Sequence, residues 1–150
     1  MLEAKLTTGS SQIFLGLKSR KAIRFEESKT RPMGRTASGV RGITLADDSD
    51  EVIGMVSVHN FDEDILVVSE NGYGKRSPIE DYRLTNRGGK GVKTISITDK
   101  TGGLVAIKNV SDSDDLMIIN KSGIAIRMSV EDLRTMGRAT QGVRLINLRE

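Results

Sequence analysis

Basic side chains recur along this chain at nearly constant steps. Arg24, Arg76 and Arg127 are separated by 52 and 51 residues, and the same two steps relate Arg31, Arg83 and Arg134, then Arg35, Arg87 and Arg138, then Arg41, Lys93 and Arg144. These twelve positions hold more than half of the twenty-three Lys and Arg residues. A core has no use for four aligned cations per repeat, so the pattern belongs to a surface. The chemistry such a surface offers is anion contact. Guanidinium and ammonium groups on loops meet phosphate oxygens, and glycines between them let backbone N–H groups approach closely. Arg87-Gly88-Gly89-Lys90-Gly91 has that composition, and its equivalents, Arg35 to Gly39 and Arg138 to Gly142, keep the leading Arg and the final Gly.

On this reading Arg35, Arg87, Lys90 and Arg138 lead the phosphate contacts, with Arg31, Arg83 and Arg134 in the same loops. Arg41, Lys93 and Arg144 come second. Strand alternation puts them on the face of Ile43, Ile95 and Ile146, so either a bulge reorients them or they emerge at the strand mouth. Taken alone, Gly39, Gly91 and Gly142 are read more simply as residues that permit a positive φ or a bulge. Arg24, Arg76 and Arg127 end hairpin strands and suit either a solvated strand end or a salt bridge to an acidic turn.

Other chemistry is poorly supplied. The chain of 150 residues has no Cys, hence no disulfide framework or thiolate zinc site, and one His, His59, with no aligned Ser or Cys partner. The acidic turns Asp47 to Glu51, Asp62 to Asp64 and Asp112 to Asp115 lack calcium-loop spacing, and no segment satisfies the GxxxxGK[ST] nucleotide loop. No cofactor is expected. Three Phe and two Tyr are too few for single-strand stacking platforms, which favours duplex DNA held through its phosphates. The longest apolar runs, such as Ile65 to Val68, are far too short for a membrane span, no signal peptide is evident, and the expected setting is the cytoplasm.

The net charge of +3 hides a sorted distribution. Phe14 to Leu45 carries +6, Ile65 to Ile97 +3 and Leu116 to Leu148 +3, whereas Ala46 to Asp64 carries −7 and Thr98 to Asp115 −2. Charge therefore follows the repeat, and so do Gly39-Val40, Gly91-Val92 and Gly142-Val143.

Within a repeat, runs of four to seven residues rich in Val, Ile and Leu lie between turn signals, the pattern of short strands. The middle repeat reads as Val52 to Val58, Asp64 to Ser69, Tyr73 to Ser77 and, after a long loop, Gly91 to Ile97, with Asn71-Gly72 predicting a type I′ turn. Glu3 to Leu6 opens the first repeat. A brief helical turn is expected after Ser129, with Ser129 as its cap. The fold class is thus all-β: a propeller-like array of about three four-stranded blades, at 1–49, 50–101 and 102–150, forming an open arc.

Three stretches carry a resemblance to a known family. Gly72-Tyr73-Gly74-Lys75-Arg76, Arg31 to Gly42 and Gly137 to Val143 resemble the blade motifs of the DNA gyrase A C-terminal domain, over essentially the whole chain. The resemblance implies a β-pinwheel, in which neighbouring blades exchange a strand, and a basic rim that wraps duplex DNA. It also implies a fragment, the last three blades of a domain with five or six. The chain would be a non-catalytic part of an ATP-dependent type II topoisomerase, nucleoid-associated, working with the rest of gyrase A and with gyrase B in an A2B2 complex. Thr85-Asn86-Arg87-Gly88-Gly89-Lys90-Gly91 is similar to the family's box, Gln-basic-basic-Gly-Gly-basic-Gly, in its last five positions, and departs from it at Thr85 and Asn86. The alternatives are the related C-terminal domain of topoisomerase IV, which orients DNA without strong wrapping, and a propeller that binds an acidic protein.

Overall fold

The computed structural model describes residues 2–95, 102–133, 135 and 142–146. Its strands are β1 (Gln12–Leu17), β2 (Lys21–Glu26), β3 (Val52–Val58), β4 (Asp64–Ser69), β5 (Tyr73–Pro78), β6 (Leu84–Thr85), β7 (Val92–Lys93), β8 (Leu104–Val110), β9 (Asp115–Ile119), β10 (Ala125–Ser129) and β11 (Val143–Arg144). The only helical elements among the described residues are 3-10 turns at Glu27–Lys29, Ile79–Asp81 and Val130–Asp132. Among the described residues no helix is long and apolar enough to cross a membrane, and no three His, Asp or Glu side chains cluster where they could hold a metal ion.

Each repeat contributes one hairpin, β1–β2, β4–β5 or β9–β10, closed by the same turn. The amide of Gly72 donates to Ser69 O at 3.1 Å and that of Gly123 to Asn120 O at 3.0 Å, and both glycines have φ near +83° to +84°. The expected type I′ geometry is corrected here. Such a turn needs two positive φ values, and Asn71 does not have one, so the single left-handed residue is the glycine that ends the turn. In the first hairpin Arg20 takes that place at φ 72°, and its amide donates to Leu17 O.

The strands of one repeat do not make a sheet by themselves; neighbouring repeats exchange strands, as the family resemblance implies. The sheet orders are β3-β1-β2-β6, with β7 also on β2, and β11-β5-β4-β8. Strand β3, which heads the 50–101 repeat, pairs antiparallel with β1 of the repeat before it, and β8 pairs likewise with β4. At the other edge, β6 runs parallel to β2 and β7 antiparallel to it, while β11 pairs with β5. Each complete sheet is therefore a hairpin from one repeat clasped by two pieces of the next. Exchange covers both hairpin edges, which would otherwise present unpaired backbone groups.

The alternation of side chains along β4 then feeds two cores at once. Ile65 and Val67 pack with Phe14, Val56, Val58, Tyr82 and Leu104 between the two large sheets. Leu66 and, half-buried, Val68 pack with Val110, Val130, Leu133 and Leu145 toward the third hairpin. A strand covered on both faces needs no polar positions, which explains the unbroken run Ile65 to Val68. Residues 3 to 6 form no strand, and Leu6 is exposed. The turn after Ser129 is present, but Ser129 makes no side-chain cap hydrogen bond.

Candidate nucleic-acid interface

The hairpin arginines are fasteners between repeats. Arg24 donates from Nε to Gln12 Oε1 at 2.6 Å and from Nη1 to the carbonyl oxygens of Ile79 and Tyr82 at 3.2 and 2.9 Å. Arg76 repeats this 52 residues on, from Nε to Asp64 Oδ2 at 2.7 Å and from Nη1 to the carbonyls of Val130 and Leu133 at 3.2 and 3.3 Å, and adds an ion pair with Asp112 at 2.6 Å. Each guanidinium thus closes the carbonyl end of the next repeat's 3-10 turn. Burial alone lowers the pKa of both. For Arg24 that effect stands, whereas for Arg76 the bonds to Asp112 and Asp64 outweigh it and the net shift is upward. Arg127 binds Asp115 through Nε at 2.9 Å and through Nη2, and its side chain stays 70% exposed. The signal available in the sequence is the residue twelve positions earlier, where Gln12, Asp64 and Asp115 recur in register with the arginines.

The loop after the second 3-10 turn lies along the loop of the first repeat. Arg87 donates from Nε to Lys29 O at 3.0 Å and from Nη1 to Arg41 O at 3.1 Å. The amide of Gly88 donates to Gly42 O at 2.6 Å, and that of Thr44 to Gly89 O at 2.8 Å. Gly91 sits at φ +81° with space for no side chain, because a Cβ there would lie 2.7 Å from Ala22 O. Gly142 has the same φ sign and the same conflict with Gly74, whereas Gly39 has φ +83° and open space around it.

The expected phosphate contacts therefore divide. Arg31, Arg35, Arg41, Arg83 and Lys90 are exposed and make no side-chain hydrogen bond or ion pair with a described residue. Arg87 is half-buried, its guanidinium held by two carbonyls. Lys93 is exposed at the end of β7, and Arg144 is exposed at the end of β11, while Ile43, Ile95 and Ile146 are buried. Strands of two residues end before alternation can carry the cations inward, so these side chains emerge at the strand mouth. Arg144 lies over Tyr73, 5.3 Å from the ring centroid, and donates to its hydroxyl at 3.1 Å, a pairing not anticipated from the sequence. Arg134 and Arg138 fall outside the described residues.

Because the loops are hydrogen-bonded to one another, their cations share an edge. Residues 28 to 46 hold Lys29, Arg31, Arg35 and Arg41 with no acid, and residues 82 to 95 hold Arg83, Arg87, Lys90 and Lys93 with no acid. A groove of about 300 Å³ on this edge is lined by Arg24, Arg83, Thr85, Gly89, Lys90 and Gly91, among others. Such an edge can hold an extended polyanion through its phosphates.

Hairpins clasped by strands of the following repeat, with a cationic edge along the exchanged loops, define a propeller-type repeat domain. The family model described as "DNA gyrase C-terminal domain, beta-propeller" matches residues 18–59, 63–111 and 114–150, and the chain belongs to that family. The DNA gyrase A protein of Staphylococcus aureus (strain MRSA252) is 51% identical over 149 residues, 99% of this chain and 17% of that protein. The chain thus spans about a sixth of the length of the curated relatives it matches. Among solved structures, one titled "Structure of DNA gyrase A C-terminal domain" superposes with a TM-score of 0.85 at 26% identity, over 94% of this chain and 48% of that one. The C-terminal domain of DNA topoisomerase IV superposes with a TM-score of 0.90 at 23% identity, over 97% and 45%, a likeness of fold.

Proposed function

We propose that this chain binds duplex DNA along the edge carrying Arg31, Arg35, Arg41, Arg83 and Lys90 and bends the duplex around it. In this role it is a non-catalytic wrapping element of a type II topoisomerase of the gyrase kind. The observation that supports the reading is the hydrogen-bonded apposition of two acid-free loops, each carrying exposed cations. A stiff duplex meets the cations of the next loop only by curving. Bending 20 to 30 base pairs by 40 to 90° costs on the order of 1 to 6 kcal/mol, which several phosphate contacts offset. The remaining domains of gyrase A, together with gyrase B in an A2B2 complex, are the partners this role requires, with the bacterial nucleoid as its location.

The test is duplex retention across a salt series. Affinity should fall roughly 10³-fold or more between 50 and 200 mM salt if six or more phosphates are engaged. Charge reversal at Arg35, Arg83 and Lys90 together should abolish retention and leave the circular dichroism spectrum unchanged. A flat salt response, or retention by the triple variant, refutes the reading. Thr85 and Asn86, which stand where the family's box has Gln and a cation, favour a second reading in which DNA is held without strong wrapping. Linking-number change in a relaxed plasmid separates the two.

A further inference from the structure

Arg87 belongs to the motif that composition marks as a phosphate contact, yet its side chain is already engaged. Nε and Nη1 each donate to a carbonyl, and those carbonyls, Lys29 O and Arg41 O, lie on the two limbs of the preceding repeat's loop, twelve residues apart. Two backbone bonds flank this clamp, from Gly88 N–H to Gly42 O and from Thr44 N–H to Gly89 O. Arg35 occupies the same register in the first repeat, is exposed, and makes no side-chain hydrogen bond or ion pair with a described residue.

We infer that Arg87 is a positioning residue: it fixes the 29–41 loop against the 86–91 loop, and so sets the spacing between Arg31, Arg35 and Arg41 on one side and Arg83 and Lys90 on the other. The inference rests on the DNA reading above and assigns the box-like loop a different task within it. A planar guanidinium directs two N–H groups at fixed angles toward two acceptors, and an ammonium carries the same charge without that fork. Arg87→Lys therefore keeps the positive charge and loses the clamp.

The experiment compares the wild-type chain, Arg87→Lys, Arg87→Gln and Arg35→Ala. Amide hydrogen exchange at Gly88 and Thr44 is measured without DNA, and affinity for a short duplex is measured across a salt series. The clamp predicts that Arg87→Lys and Arg87→Gln both speed exchange at the two amides by roughly tenfold or more, that Arg35→Ala does not, and that Arg87→Lys weakens duplex affinity about as much as Arg87→Gln. The slope of log K against log salt should then change by more than the roughly 0.9 lost with one phosphate contact, because several cations leave register together. If Arg87→Lys matches wild type in either exchange or affinity, the inference is overturned. A wild-type chain that shows no salt-dependent duplex binding removes the DNA reading itself, and that result is distinct from a steeply binding wild type equalled by Arg87→Lys.

Discussion

Arg76 donates to the carbonyls of Val130 and Leu133, 54 and 57 residues further along the chain, just as Arg24 donates to those of Ile79 and Tyr82. The three equivalent arginines differ in how much of this arrangement surrounds them, and substitution should rank them. Arg76→Ala leaves Asp64 and two turn carbonyls without their donor and should cost about 2 to 4 kcal/mol. Arg24→Ala, with a neutral Gln12 partner, should cost about 1 to 2 kcal/mol. Arg127→Ala, at an exposed pair, should stay within about 0.5 kcal/mol. Urea denaturation of the three variants checks the order, and an Arg127→Ala loss equal to that of Arg76→Ala would contradict it.

Gly91 and Gly39 separate backbone strain from steric exclusion, since both have positive φ and only Gly91 lies against a neighbouring strand. Gly39→Ala should cost about 1 kcal/mol, the strain of a left-handed residue. Gly91→Ala adds a clash with the Ala22 backbone and should cost about 3 kcal/mol or more. Equal midpoints in thermal melts of the two variants would argue against the close approach of β2.

Glu27 has its pKa lowered, first by a hydrogen bond from the Thr7 side chain and then by the Ser11 amide, which donates to Glu27 Oε1 at 2.7 Å. A depressed carboxylate contributes stability that is fully present above its unfolded pKa, about 4.3, and is lost as pH falls through the lower folded value. Glu27→Gln should therefore destabilise the chain at neutral pH and flatten the acid limb of its stability profile below about pH 4. A parallel offset at all pH values would show that ionisation of Glu27 plays no part.

Arg83 and Lys90 line one groove on the cationic edge. Arg83→Ala should weaken duplex binding to the same degree on unrelated sequences and reduce the salt slope by about 0.9. A loss confined to one sequence would instead indicate base readout. Titration of fluorescent duplexes of differing sequence makes the comparison.

Much of this architecture is legible in the residues. The 52- and 51-residue steps, the three hairpins and the basic loops all follow from local composition, because hairpin turns and strand runs are short-range features. The register also marks Gln12, Asp64 and Asp115 as partners for their arginines, twelve residues away within one hairpin. The turn type at Asn71-Gly72 is not legible, because the dipeptide suits two geometries and the flanking register decides between them.

Periodicity alone establishes that this chain is a tandem array of β-hairpins carrying evenly spaced cations. Which repeat completes which sheet is decided by the exchange of β3 and β8 into the preceding hairpin's sheet, a pairing that periodicity leaves open and only the family resemblance implies. The same holds for Arg87. Its acceptors lie 58 and 46 residues earlier, and only the folded chain brings those carbonyls within hydrogen-bonding distance.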